Sequence, residues 1–150
     1  MEIVRRPEQR VIGVQVEAGF ADLATLVPQA LVRVVDRADE LPALPDGALV
    51  EHSEDLGGGR YRETVGALGA SGDRVPDGMA SVPLPAGGWV HHRHVGPVAQ
   101  IAEGFGVIYD WARSEGLPLG RLKLDVGYSA DGTPMPHDLY IVIDREDTAP

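Results

Sequence analysis

The chain contains no cysteine and one lysine, Lys123, and aromatic residues make up only 5% of it. Without cysteine there is no thiol nucleophile, no CxxC redox pair, no disulfide scaffold and no Cys-ligated zinc or iron-sulfur site. Long apolar runs are missing too. Nothing approaches the roughly 18 residues of a membrane span, and Met1 to Pro7 carries no apolar segment of the secretory kind. The expected location is therefore the cytoplasm. Positive charge is also scarce, with 13 basic against 23 acidic residues and a net charge of -10. That balance opposes a phosphate backbone, so no direct nucleic-acid or membrane partner is expected. It suits a cationic ligand or a basic patch on a protein partner, or it serves solubility alone.

What is present is one mid-sized domain. At 150 residues and 43% apolar composition, the chain is long enough to bury about 68–70% of its unfolded surface without staples. Arg10 to Val16 is a β-branched run that fits a strand, followed by the breaker Gly19. Leu23, Leu26, Val27, Ala30, Leu31, Val34, Val35 and Ala38 then recur at helical spacing. Pro28 interrupts that stripe, which predicts a helix beginning near Thr25 with its hydroxyl as cap. Ala48 to Ser53 and Arg60 to Leu68 read as strands joined by a glycine-rich turn over Asp55 to Gly59.

The second half repeats the order. A strand from Met79 to Val95, interrupted at Pro83 to Gly88, leads to a helix over Val98 to Ser114 and strands over Leu122 to Tyr128 and Leu139 to Asp144. Arg37-Ala38-Asp39-Glu40-Leu41-Pro42 closes the first helix, and Arg113-Ser114-Glu115-Gly116-Leu117-Pro118 closes the second in matching register. This predicts an α+β fold in which duplicated strand-helix-strand-strand units form one antiparallel sheet, with two helices on one face and a groove between them. The whole chain, 1–150, is expected to be a single domain, with repeat 1 over about 1–70 and repeat 2 over about 79–146. Such a groove is the concave setting in which small molecules bind.

Three segments carry a family resemblance. Leu84-Pro85-Ala86-Gly87-Gly88-Trp89-Val90, His94-Val95-Gly96-Pro97 and Ile108 through Gly116, in this order, resemble the GyrI-like small-molecule-binding domain, the effector-binding module of many AraC- and MerR-type regulators. The resemblance covers essentially the whole chain. No helix-turn-helix segment precedes residue 1, so the expected likeness is to stand-alone members. It implies an aromatic pocket around a buried acid that takes flat, lipophilic and often cationic compounds.

By that resemblance Trp111 is a stacking residue, against the simpler reading of a core anchor. Tyr140 matches an aromatic of the last strand. Tyr61 is a candidate in a strand whose alternation does not say which face is buried, and Tyr109 and His94 fall within the matching segments. The family's acid precedes a tyrosine by two residues, whereas this chain reads Leu124-Asp125-Val126-Gly127-Tyr128. Either Asp125 takes the acid's place or Val126 does and the carboxylate is missing. Alternation sets Asp125 on the polar face, opposite an apolar face of Leu122, Leu124, Val126 and Tyr128, which speaks against Asp125 as the pocket acid. Glu51 and Glu63 are the strand acids that would compensate.

His91-His92-Arg93-His94, with His52, His137 and Asp138, resembles the start of a metal site. His94, however, belongs to the family's HxGP segment, which there needs no metal. No metal and no cofactor are expected. Three functions follow. The leading one is a binder that senses or sequesters hydrophobic, drug-like and cationic compounds without turnover. The alternative is a hydrolase that opens cyclopropane-bearing genotoxic compounds, with Asp125 as the acid. The third is a protein-interaction module of the gyrase-inhibitor kind, using Asp36, Asp39, Glu40 and Asp46 as an acidic patch.

Overall fold

The computed structural model describes residues 1–43 and 48–144. The interrupted strand over Met79 to Val95 is two strands, and a further strand, unread in the sequence, precedes Arg10. The elements run β1 (Glu2–Arg6), β2 (Gln9–Gly19), α1 (Phe20–Asp36), β3 (Ala48–Gly57), β4 (Arg60–Gly69), β5 (Ala80–Leu84), β6 (Gly87–His94), α2 (Ile101–Ser114), β7 (Leu119–Ser129) and β8 (His137–Ile143). Asp46, and residues 145–146 at the end of the second repeat, lie outside the described residues. All eight strands form one sheet in the order β1-β6-β8-β7-β3-β4-β2-β5, and every pairing is antiparallel.

That order is symmetric about the central β7–β3 pair. Each half is strand-strand-helix-strand-strand rather than strand-helix-strand-strand, and the first strand of each is exchanged: β1 pairs with β6, and β5 pairs with β2. Leu41 and Leu117, matched in the sequence, pack at the cores beneath α1 and α2 respectively.

The links between exchanged strands dictate the shape. Only Pro7 and Glu8 join β1 to β2, and only Pro85 and Ala86 join β5 to β6. Three Cα–Cα steps span at most about 11 Å. In a flat sheet the joined strands, six positions apart, would be separated by about 29 Å. The sheet must roll until its two edges meet. The cluster on its inner face confirms this, because Val4 and Leu84 from the edges pack with Val50 and Leu124 from the centre around the fully buried Trp89. The Trp89 indole N–H donates to the Pro85 carbonyl at 3.3 Å and fixes one link.

Glycine permits the curvature. Gly13 and Gly66 are cross-strand partners, and a Cβ at either would overlap the facing strand's backbone. The outer face carries both helices, α1 on β2 and β4 and α2 on β6 and β8. Ile12, Val14, Val65 and Ala67 meet Ala30 and Val34 of α1, while Val90, Leu139 and Ile141 meet Ile108 of α2. The first helix starts at Phe20, not near Thr25, with Pro28 inside it. The Phe20 N–H donates to the Gly59 carbonyl at 3.3 Å, and its ring meets Tyr61 edge-on at 6.1 Å, so tertiary contacts fix the start ahead of the proline.

Two predictions follow from the rolled sheet. Gly66→Ala is expected to cost about 3 kcal/mol or more in urea denaturation, because backbone rather than a flexible side chain occupies the space. The second concerns His52, which is 1% exposed, has no partner for either ring nitrogen, and is held down to about 4 by burial. The unfolded chain takes up this proton below about 6.5 and the native state does not. Wild-type stability should therefore fall by up to about 3 kcal/mol between pH 6.5 and 4 through this residue. His52→Leu should be near neutral at pH 7 and lose that part of the slope; parallel pH profiles would refute the assignment.

Candidate functional site

Because α1 packs mainly on β2 and β4 and α2 on β6 and β8, the outward residues of β3 and β7 around Glu51, Ser53, Lys123 and Asp125 lie between the helices, while outward Leu49 is buried under α1. Alternation decides what lies there. Leu122, Leu124 and Val126 point to the inner core, so Lys123 and Asp125 point outward, and the pairings Glu51–Asp125 and Ser53–Lys123 put those four residues on one floor. Glu63 joins them from β4 as the partner of Ser53.

Three carboxyl groups thus meet beneath the groove. Asp125 is 3% and Glu63 4% exposed. The Ser53 hydroxyl donates to Glu63 Oε1 at 2.8 Å, the Tyr128 hydroxyl to Glu51 Oε2 at 3.0 Å, and His137 Nδ1–H to Asp125 Oδ1 at 2.6 Å. The remaining oxygens of Glu63 (Oε2) and Asp125 (Oδ2) are buried without a partner. Burial, then the neighbouring Glu51 charge, pushes Glu63 up to about 8. Burial, then the Asp125 charge, also raises Glu51. At Glu51 and Glu63, desolvation and like charge together favour the protonated form.

Aromatic side chains flank this floor. Tyr61 lies on β4 opposite Asp55 with Phe20 at the start of α1 beside it, while Phe105 and Tyr109 descend from α2 toward Lys123. With Tyr128, the region gathers both phenylalanines and three of the four tyrosines of the chain. Phe20 and Phe105 were not singled out in the sequence, and Tyr128, which alternation sets on the apolar face with Val126, lies on the groove face instead because the register shifts between Leu49 and Val50. The i, i+4 spacing of Phe105 and Tyr109 is the signal that would have found two of the wall residues together.

The sequence candidates divide. Asp125, Tyr61 and Tyr109 are brought to the groove. Tyr140 is not: it pairs with Leu124 on the inner face, stacked on His91 at 4.8 Å beneath the Arg6 guanidinium at 4.4 Å. Its neighbours Leu139 and Ile141 take the outward positions, and period-two alternation leaves Tyr140 no access. Trp111 packs with Leu117, Leu119 and Ile143 against the core under α2. His94 lies against Gly104 of α2 and donates from Nε2 to the Pro97 carbonyl at 3.1 Å, serving the turn into the helix. Of the histidine run, His91 is bound by Glu2 and Asp138 on the inner face. Among the described residues no group of three or more His, Asp or Glu is arranged to hold a metal ion.

The match to the GyrI-like small molecule binding domain extends over residues 1–143. The chain belongs to this family. No curated protein matches it. Three solved structures share the GyrI-like fold with it at low identity. SAV2435 bound to tetraphenylphosphonium superposes with a TM-score of 0.76 at 7% identity, covering 95% of this chain and 93% of that one. The EcmrR C-terminal domain gives 0.61 at 15%, covering 96% of each. A hydrolase from Listeria innocua gives 0.54 at 14%, covering 95% of this chain and 91% of that one. Among the described residues no helix is long and apolar enough to cross a membrane.

The protonated floor has a thermodynamic signature. A carboxyl group raised to about 8 stays neutral in the folded state while the unfolded chain ionises above about 4.5, so its contribution to stability falls as pH rises between those values. Glu63→Gln should match wild type at pH 4.5 and exceed it at pH 8 by roughly 1–3 kcal/mol in thermal denaturation. An equal gap at both pH values would contradict a proton held at Glu63.

Proposed function

We propose that the chain binds bulky lipophilic cations in the groove between its helices, as a cytoplasmic sensor or sequestering protein. The observation that carries this reading is the pair of buried, unpartnered carboxylate oxygens, Glu63 Oε2 and Asp125 Oδ2, set among aromatic side chains. A desolvated carboxylate attracts a cation with little screening, and ring faces add contact area and quadrupole attraction. A diffuse aryl cation is easily stripped of water and makes no hydrogen bonds, so it suits the two carboxyl oxygens that have no hydrogen-bond partner. The similar SAV2435 was solved with tetraphenylphosphonium, which supports this ligand class.

Tetraphenylphosphonium and tetraphenylborate have the same shape and opposite charge, and titrating both separates charge recognition from hydrophobic capture. The phosphonium should bind and the borate should not. Its affinity should rise with pH up to about 8, because the cation exchanges for the Glu63 proton. Glu63→Gln should weaken phosphonium binding tenfold or more at pH 8 and flatten the pH dependence. Equal affinity for both ions would reject the proposal.

A second reading is hydrolysis, and the Asp125–His137 contact favours it. Asp125 accepts the His137 Nδ1–H, so it orients an imidazole that can take a proton from water, instead of donating to a strained ring itself. The similarity to the Listeria hydrolase supports this reading. Rapid opening of a cyclopropane-bearing alkylator, lost in both Asp125→Asn and His137→Gln, would establish it. The protein-interaction reading has less support. Glu40, one of its acids, is engaged by Arg37 at 2.6 Å, and Asp46 lies outside the described residues.

A further inference from the structure

The groove already contains a cation. Lys123, the only lysine of the chain, extends from β7 so that its Nζ lies 5.4 Å from the Phe105 ring centroid and 5.8 Å from that of Tyr109. Among the described residues it makes no ion pair within 4.0 Å, although its charge reaches both Glu51 and Glu63. An ammonium held by two ring faces and by acids at longer range is retained loosely. It occupies the place that a ligand cation needs.

Resting on the cation-binding reading, we infer that Lys123 is a specificity-determining residue. Its ammonium is a tethered competitor that fills the aromatic–acidic groove of the free protein and is displaced by the ligand. The tether gives it an effective concentration on the order of millimolar, with no loss of translational freedom on binding. A small ammonium ion offers the rings and acids only what Lys123 already offers, and it must first be captured from solution. It cannot win. An aryl cation brings apolar area that Lys123 lacks, and so displaces it. The residue thus filters bulky lipophilic cations from the small amines and polyamines abundant in any cell. Once displaced, its flexible four-carbon stem carries the ammonium to water at the groove mouth.

Two measurements test the filter. In the first, tetraphenylphosphonium and butylammonium are titrated into wild type, Lys123→Met and Lys123→Arg. The Met variant should bind the phosphonium at least tenfold tighter and show measurable butylammonium binding, while the Arg variant stays near wild type. Unchanged phosphonium affinity in Lys123→Met, with wild type binding normally, overturns the role of Lys123 and leaves the binding reading intact. Failure of every form to bind the phosphonium overturns both.

The second measurement is read on the wild-type site, with Lys123→Met used only to assign the signal. Reductive ¹³C-methylation keeps the lysine charge, and the Lys123 methyl resonance is told from the α-amino signal by its absence in Lys123→Met. In free wild type it should show the upfield ring-current shift of a group over Phe105 and Tyr109. At saturation with tetraphenylphosphonium it should move to the position of a solvated lysine. A resonance unmoved at saturation contradicts displacement.

Discussion

Two links of two residues each determine most of this molecule. Pro7-Glu8 and Pro85-Ala86 join strands from opposite edges of an eight-stranded sheet, and no flat arrangement satisfies links so short. Rolling buries one face around Trp89 and Leu84 and makes the other convex. Two helices laid on a convex surface diverge, and each settles over the outer strands of its own half. The central β3–β7 pair is left between them. The groove is therefore a consequence of edge exchange between two like halves, and its floor is whatever those two strands point outward.

Three acids gather at this floor, Glu51 of β3 and Asp125 of β7 with Glu63 from the neighbouring β4, beside Ser53 and Lys123. Glu51, Glu63 and Asp125 satisfy three of their six carboxyl oxygens through Ser53, Tyr128 and His137, and the packing gives Glu63 no cationic partner within ion-pair distance among the described residues. Buried acids without counter-ions are costly, and a fold that needed only stability would place apolar residues there. Holding protons reduces the cost in the empty protein. On the proposed reading a ligand cation offsets that cost, so the same desolvation that raises Glu51 and Glu63 supplies the selectivity for charge. The chain's net charge of -10 adds a long-range attraction for cations that a pocket acid alone does not provide.

Much of this was legible in the sequence, and the failures share a cause. The helical stripe before Leu41, the repeated helix ends and the segments around Pro85, His94 and Trp111 gave the layers and the family. Apolar alternation in β7 placed Asp125 opposite Leu122, Leu124 and Val126, which is where it lies. What alternation could not say is which face lines the groove. In this sheet the inner face is filled by side chains and the outer one is flanked by helices, so both rows of β7 are sheltered: the apolar row is core and the polar row, with Asp125, faces the groove proposed as the site. The same inversion removed Tyr140 from the site. β1 went unread because Glu2 to Arg6 carries three charges in five residues, and its pairing with β6 depends on an exchange that no local pattern reports.

The central claim is that the floor of the groove holds protons which a lipophilic cation replaces. Isothermal titration of tetraphenylphosphonium at pH 7, in two buffers of different ionisation enthalpy, counts those protons directly. Release of a substantial fraction of one proton per ligand bound is expected, declining toward zero as the pH is raised past 8. Binding of the cation with the same heat in both buffers at pH 7 would contradict it.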